Sequence, residues 1–322
     1  MSIRHALYTY GNAAIRRLRQ VPLILTLRRV RAQYLTRKLQ LSKNVAFLFT
    51  LSLQDKGLSK QLLTNDWREY TSTLYFIDHF LKKDDVVLDV GANLGYFALI
   101  EASYAPSTYV YALEPVQESY RTLTATVALN GFTNIRAFNL GISDKCEIRE
   151  ILVSNYLNWS TMNINAAKAI SAGPNTVRRE TVELVTLTEF CKRFVDRTPT
   201  LIRMDVEGFE YEILTGNTDF LQAHNAKLFI EFHSNLLGRD RSIELLTLLR
   251  DLNYEIEMYV QNLEYCKTDL FFRSPAGRGV QKCVTISELL GHYEAKSPTE
   301  VSAQDGCMLF LYRSCGSSGE AK

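Results

Sequence analysis

The chain has 322 residues, 46% of them hydrophobic, and a formal net charge of +2; that is enough apolar material for the core of one large domain, and it excludes general disorder. The charge is unevenly spread: ten Lys and Arg lie between Arg4 and Lys43 with no Asp or Glu before Asp55, so a basic N-terminal segment joins an acidic body. Six cysteines, at positions 146, 191, 266, 283, 307 and 315, form no Cys-x-x-Cys pair, which argues against a zinc site or a disulfide framework and for a reducing, cytoplasmic setting.

In the N-terminal segment Leu23, Leu27, Val30 and Tyr34 recur at helical spacing, with Arg28, Arg29, Arg31, Arg37 and Lys38 between them. Residues 1–70 are therefore expected as a basic, largely helical extension. It either packs on the acidic body or makes a peripheral contact at the inner face of an anionic membrane. The apolar runs Val21–Leu27 and Val45–Leu53 fall short of the roughly 18 residues a membrane span needs, and no signal peptide is evident.

From about Thr71 short β-branched runs alternate with amphipathic stretches, the pattern of βαβ units. Strands are predicted at Val86–Val90, Tyr109–Leu113 and Ile135–Leu140, with helices at Tyr96–Tyr104 and Gln117–Leu129 between them. Residues 145–185 break the rhythm: period-two alternation at Glu147–Val153 and Thr181–Val185 brackets a polar loop with Tyr156 and Trp159, and predicts a hairpin-like insertion near the site. Strands at Leu201–Met204, Leu228–Phe232, Tyr254–Tyr259 and Met308–Tyr312 follow, with helices at Tyr211–Leu214 and Ser242–Leu252. The expected architecture is a doubly wound α/β domain over residues 71–315 with a mostly parallel sheet of seven strands. Residues 316–322 are expected as a disordered tail.

The strongest local signal is Asp89-Val90-Gly91-Ala92-Asn93-Leu94-Gly95-Tyr96-Phe97, a buried strand running through a glycine loop into a helix. Glycines at 91 and 95 let the backbone turn sharply beside a ligand, and the helix start offers free amide donors. A dinucleotide fingerprint needs glycine where Asn93 stands. Asp89 also places a carboxylate that repels a pyrophosphate but can hold an ammonium, directly or through water. Tyr96 opens the helix and is counted with the pocket. Glu114, followed by Pro115 at the end of the second strand, stands nineteen residues after Gly95, where a carboxylate can accept both ribose hydroxyls. Asn139 and the Gly141-Ile142-Ser143-Asp144 turn end the third strand, with Ser143 and Asp144 placed to border an adenine.

The glycine loop, Leu113-Glu114-Pro115 and above all Arg203-Met204-Asp205-Val206-Glu207-Gly208-Phe209-Glu210 resemble the FkbM family of methyltransferases, over roughly Asp55 to Phe232. Arg203 departs from the family pattern, which usually has Lys there. The resemblance implies a class I methyltransferase fold of Rossmann-like type, S-adenosylmethionine as cofactor, and methylation of a hydroxyl on a sugar, glycan or related natural product.

Methyl transfer from a sulfonium is an in-line displacement, so the acceptor oxygen must be aligned and its proton removed. Asp205 ends a central strand and belongs to both the cofactor and the catalytic set. Glu231 and His233 share a face at the end of the next strand. His233 is the expected general base, with Glu231 orienting it or the substrate. A divalent cation held by Asp205, Glu231 and His233 is the less favoured reading, so no metal is assigned. A glycan or small-molecule acceptor is expected and nucleic acid is not, because the acidic body lacks a basic and aromatic stripe. Two competing functions are a nicotinamide oxidoreductase and a non-catalytic module of the same fold.

Overall fold

The computed structural model describes residues 34–64, 70–163, 177–261, 272–273, 284–302 and 305–313. Its strands, in chain order, are β1 (Tyr34–Gln40), β2 (Ala46–Ser52), β3 (Val86–Val90), β4 (Tyr109–Leu113), β5 (Ile135–Phe138), β6 (Gly141–Ile142), β7 (Glu147–Ser154), β8 (Val177–Val185), β9 (Leu201–Met204), β10 (Lys227–Phe232), β11 (Tyr254–Gln261), β12 (Phe272–Arg273) and β13 (Cys307–Arg313). The main sheet runs β12-β11-β13-β10-β9-β3-β4-β5. From β10 to β5 every pairing is parallel, whereas β13 runs antiparallel between β10 and β11. Apart from the two-residue edge strand β12, these are the seven expected strands, in the order 3-2-1-4-5-7-6 along the sheet. That order is the class I methyltransferase arrangement. It reverses between β3 and β9, and an open α/β sheet binds its ligand beyond the carboxyl ends at such a reversal.

Strand alternation divides the core in two. Val87, Val110 and Ala112 point into one cluster with Leu99, Ile100 and Leu123, while Leu88, Val90, Tyr111 and Leu113 point into the other with Phe190, Ile213, Leu245 and Leu249. The helices Tyr96–Tyr104 and Gln117–Asn130 cover the first face. Leu187–Phe194, Glu210–Gly216, Arg239–Asp251 and Ile286–Glu294 cover the second, which makes the sheet doubly wound.

The N-terminal region departs from expectation. Instead of a helix running through Tyr34, β1 and β2 form an antiparallel hairpin in which Tyr34 pairs with Ser52, followed by a short helix at Leu58–Thr64. The deciding pattern is the alternation Phe47, Phe49, Leu51, all buried in the first core cluster. Phe47 and Phe49 meet the ring of Tyr96 edge-on at 6.5 and 6.1 Å. The hairpin's apolar face thus packs into the core of the α/β domain. The apolar positions Leu23, Leu27 and Val30 and the basic Arg28, Arg29 and Arg31 lie outside the described residues. No helix among the described residues is long and apolar enough to cross a membrane.

Within residues 145–185 β7 and β8 pair antiparallel, and β6, just before them, joins β8 in parallel to make a three-stranded sheet. The described part of this insertion reaches the main sheet's ligand edge. Thr161 donates to the carbonyl of Glu207 at 2.8 Å and the Asn163 amide to that of Gly208 at 2.8 Å.

Glu101, in the helix after the glycine loop, is fully buried and neither of its carboxylate oxygens has a hydrogen-bond partner. Burial, reinforced by Asp89, pushes its pKa well above the ordinary range. It therefore stays protonated in the fold while its unfolded counterpart ionises, so its contribution to stability is complete below about pH 4.3 and falls as pH rises. Glu101→Gln removes this slope. Urea unfolding is expected to show the variant gaining on the wild type as pH rises from 5 to 7; a difference that does not change with pH would contradict this.

Candidate functional site

A cleft of about 560 Å³, counted to its open mouth, lies where the loops after β3, β4, β6 and β9 converge, and Gly91, Asn93, Glu114, Pro115, Asp205 and Glu207 are on its walls. The glycine loop needs its glycines. Gly91 sits at φ +83° with the Asp205 carbonyl oxygen only 2.0 Å from where a Cβ would stand, and Gly95, at φ +91°, would strike Leu123. Asn93 also takes a left-handed backbone, φ 51°, a conformation asparagine tolerates better than most residues. Its side-chain oxygen is buried without a hydrogen-bond partner.

Glu114 closes the loop from the other side. Its Oε2 accepts from the Asn93 amide at 2.8 Å and its Oε1 from the Val116 amide at 2.7 Å. Burial raises its pKa to about 8, against the pull of those two amides. Each oxygen keeps a second lone pair for a ligand hydroxyl.

Other expected ligand residues stand behind the cleft lining rather than on it. Asp89 is fully buried, and its Oδ1 accepts from Arg203 Nη1 at 3.0 Å. Arg203 Nη2 donates to Asp205 Oδ2, also at 3.0 Å, with the guanidinium carbon 4.1 Å from the centre of the Phe97 ring. One planar fork thus ties the ends of β3 and β9 together, a bridge a lysine's single ammonium does not reproduce. Gly95 and Tyr96 support the loop from within the core. The Asn139 amide is spent on the carbonyls of Glu114 and Pro115, at 2.9 and 2.8 Å. Ser143 is buried and donates to the exposed Asp144, so the third strand's turn meets the cleft through Gly141 and Ile142 instead.

Asp205, on the cleft wall, meets Glu231 and His233, which are outside the cleft lining, each with a ligand-type atom within 4.8 Å of the others. The partner that orients His233 is Glu210 rather than Glu231. Glu210 is fully buried and its Oε1 lies 2.6 Å from Nδ1, while Nε2 faces Glu231 at 3.5 Å and Glu207 at 3.6 Å. Burial lowers the imidazole's pKa, but Glu210, Glu207 and Glu231 outweigh it and raise the value well above the ordinary range. Burial and Glu231 bring Asp205 up to about 7. Burial pushes Glu207 well up, whereas Glu231 ends below its ordinary value because His233 and Arg203 overcome its burial. Glu207 and Gly208 take left-handed turns at φ 49° and 88°. The clamp from Thr161 and Asn163 holds that strained loop against the cleft.

A model of the methyltransferase FkbM domain matches residues 89–265, more than half of the chain and all of the residues just described. The chain belongs to the FkbM methyltransferase family. Among curated relatives, the FkbM chain is 27% identical over 230 residues to the AMB antimetabolite synthetase AmbE of Pseudomonas aeruginosa, covering 59% of this chain and 11% of that protein. It is 27% identical over 164 residues to the hexuronic acid methyltransferase AglP of Haloferax volcanii, covering 49% of this chain and 60% of that one. The chain thus spans about a tenth of the first relative and about three fifths of the second. Among solved structures, Methyltransferase FkbM from Methylobacillus flagellatus KT superposes with a TM-score of 0.42 at 18% identity, over 78% of this chain and 52% of that one.

Proposed function

We propose that this FkbM-family chain is an S-adenosylmethionine-dependent O-methyltransferase whose acceptor is a hydroxyl of a sugar or glycan. The observation that carries this reading is the single cleft that has Asn93 and Glu114 at one end and Asp205 and Glu207 at the other. The first pair fits the cofactor: a buried unpartnered amide oxygen and a carboxylate with free lone pairs suit an ammonium and ribose hydroxyls. Bound there, S-adenosylmethionine supplies a methyl group whose C–S bond breaks as the C–O bond forms, the bonding pair staying on sulfur. The chain's own task is to align the acceptor oxygen and take its proton. Asp205 and Glu207 face the cleft for that purpose, while His233, ringed by carboxylates, holds them in place rather than acting as the base.

A sugar acceptor is favoured by the relative named as a hexuronic acid methyltransferase and by an aromatic pair beside the cleft. Tyr156 and Trp159 stack with ring centres 4.5 Å apart and an angle of 14°, flanking the cleft residue Leu157. The pair is half-buried, and an aromatic face left open beside a cleft suits a sugar ring. Trp159→Ala is expected to raise the acceptor's KM by about tenfold, as a lost stacking contact of about 1.4 kcal/mol requires, with affinity for S-adenosylhomocysteine unchanged. Loss of both would make the pair structural. The reading as a whole is tested by incubating the full chain with methyl-labelled donor and a panel of neutral and uronic acid glycans. Label recovered as a methyl ether supports it, and donor binding without transfer to any glycan would point to the non-catalytic alternative.

A further inference from the structure

We infer that Asp205, Glu231 and His233 form a divalent-cation site at the acceptor end of the cleft, and that the cation selects acceptors presenting two adjacent oxygens, such as a vicinal diol or a hydroxyl beside a carboxylate. The acceptor half of this rests on the methyl-transfer reading; the cation half does not.

Three observations carry it. The two strand ends are locked in register, Met204 opposite Ile230, so Asp205 and Glu231 leave the sheet side by side and His233 follows two residues later. Their donor atoms fall within 4.8 Å of one another, the spread of ligands around one ion after small side-chain adjustments. The imidazole is also prepared as a ligand. His233 is only 8% exposed and its Nδ1 is fixed by the buried carboxylate of Glu210 at 2.6 Å. A carboxylate behind a histidine in this way sets the tautomer and directs Nε2 at a metal. Nε2 accordingly faces the Glu231 and Glu207 carboxylates, at 3.5 and 3.6 Å, beyond a good hydrogen bond but spaced for an ion between them.

Two carboxylate oxygens and one imidazole nitrogen suit manganese or magnesium better than a thiophilic metal.

An ion with six positions keeps about three after the protein's ligands, room for two acceptor oxygens and a water. The chelated hydroxyl then gives its proton to Glu207, which is on the cleft wall and outside the ligand set. Its oxygen bonds to the methyl carbon, and the former C–S pair remains on sulfur, leaving a methyl ether, a thioether and a proton.

The test titrates the full chain with manganese chloride at neutral pH and follows the free ion by electron paramagnetic resonance. The wild type is expected to hold one ion per chain, with affinity at least tenfold weaker in Glu231→Gln and in His233→Gln, each shown folded by circular dichroism. No bound manganese in the wild type, or equal affinity in both folded variants, would overturn the site. For the acceptor, removing one of two adjacent hydroxyls should raise KM more than tenfold in the manganese-loaded protein. Methyl transfer that persists undiminished in metal-stripped protein overturns this inference while leaving the methyltransferase reading intact. Bound manganese without S-adenosylhomocysteine binding supports the site and removes that reading.

Discussion

Glu114→Gln is expected to weaken binding of S-adenosylhomocysteine roughly ten- to hundredfold. The carboxylate is already the acceptor for two backbone amides, those of Asn93 and Val116, and the ribose hydroxyls would use its remaining lone pairs. A glutamine keeps the shape but turns one oxygen into a donor, so one hydroxyl loses its acceptor and one loop amide faces an N–H group. A hydrogen bond to a charged group contributes about 1.5–3 kcal/mol, about one to two decades in affinity, while the mismatched loop amide costs stability in the free and bound protein alike. The carboxylate's pKa of about 8 adds a second signature. Hydroxyl donors prefer the ionised form, so wild-type affinity should rise as pH increases through 8 and the glutamine variant should lack that rise. Calorimetry at pH 7 and pH 9 checks both points; a variant that binds as the wild type does would remove Glu114 from the cofactor site.

Gly91→Ala is expected to be the most destabilising single-methyl change in the site. The new Cβ would lie 2.0 Å from the Asp205 carbonyl oxygen, a backbone atom that cannot rotate aside, and the residue would be held at φ +83°. The left-handed conformation alone costs an L-residue about 1–2 kcal/mol, and parting β3 from β9 breaks the contact between the Asp205 amide and the Val90 carbonyl at 3.1 Å. A total loss of about 3–5 kcal/mol in chemical unfolding is expected, with cofactor and manganese binding lost together because the separated strand ends carry the glycine loop and Asp205. Wild-type stability in this variant would show that the two strand ends are free to separate.

The parallel sheet and its ligand edge were legible because each strand ends on a chemical marker: Asp89 with the glycine loop, Glu114 with proline, Asp205 with the Glu207-Gly208 turn. Local period and local breaks sufficed. The N-terminal hairpin was not legible, since Leu23, Leu27, Val30 and Tyr34 fit a helical period, while the alternation of Phe47, Phe49 and Leu51 spans only a few residues and becomes decisive through packing on Tyr96. The site's supporting contacts were hidden by distance along the chain. Glu210 lies 23 residues before His233, whereas Glu231 has the obvious same-face spacing, so the carboxylate behind Nδ1 did not stand out. The Thr161 and Asn163 clamp spans more than forty residues and is made to backbone carbonyls, which leave no trace in side-chain identity. Asn139 was placed at the right strand end, yet its amide is turned to the Glu114 and Pro115 carbonyls, a choice of rotamer that sequence does not encode locally.

The most direct test of the central claim is calorimetric titration of the full chain with S-adenosylhomocysteine, with NAD as the parallel ligand. The account predicts micromolar, one-to-one binding of S-adenosylhomocysteine and none of NAD. Binding of NAD, or of neither ligand, would contradict it.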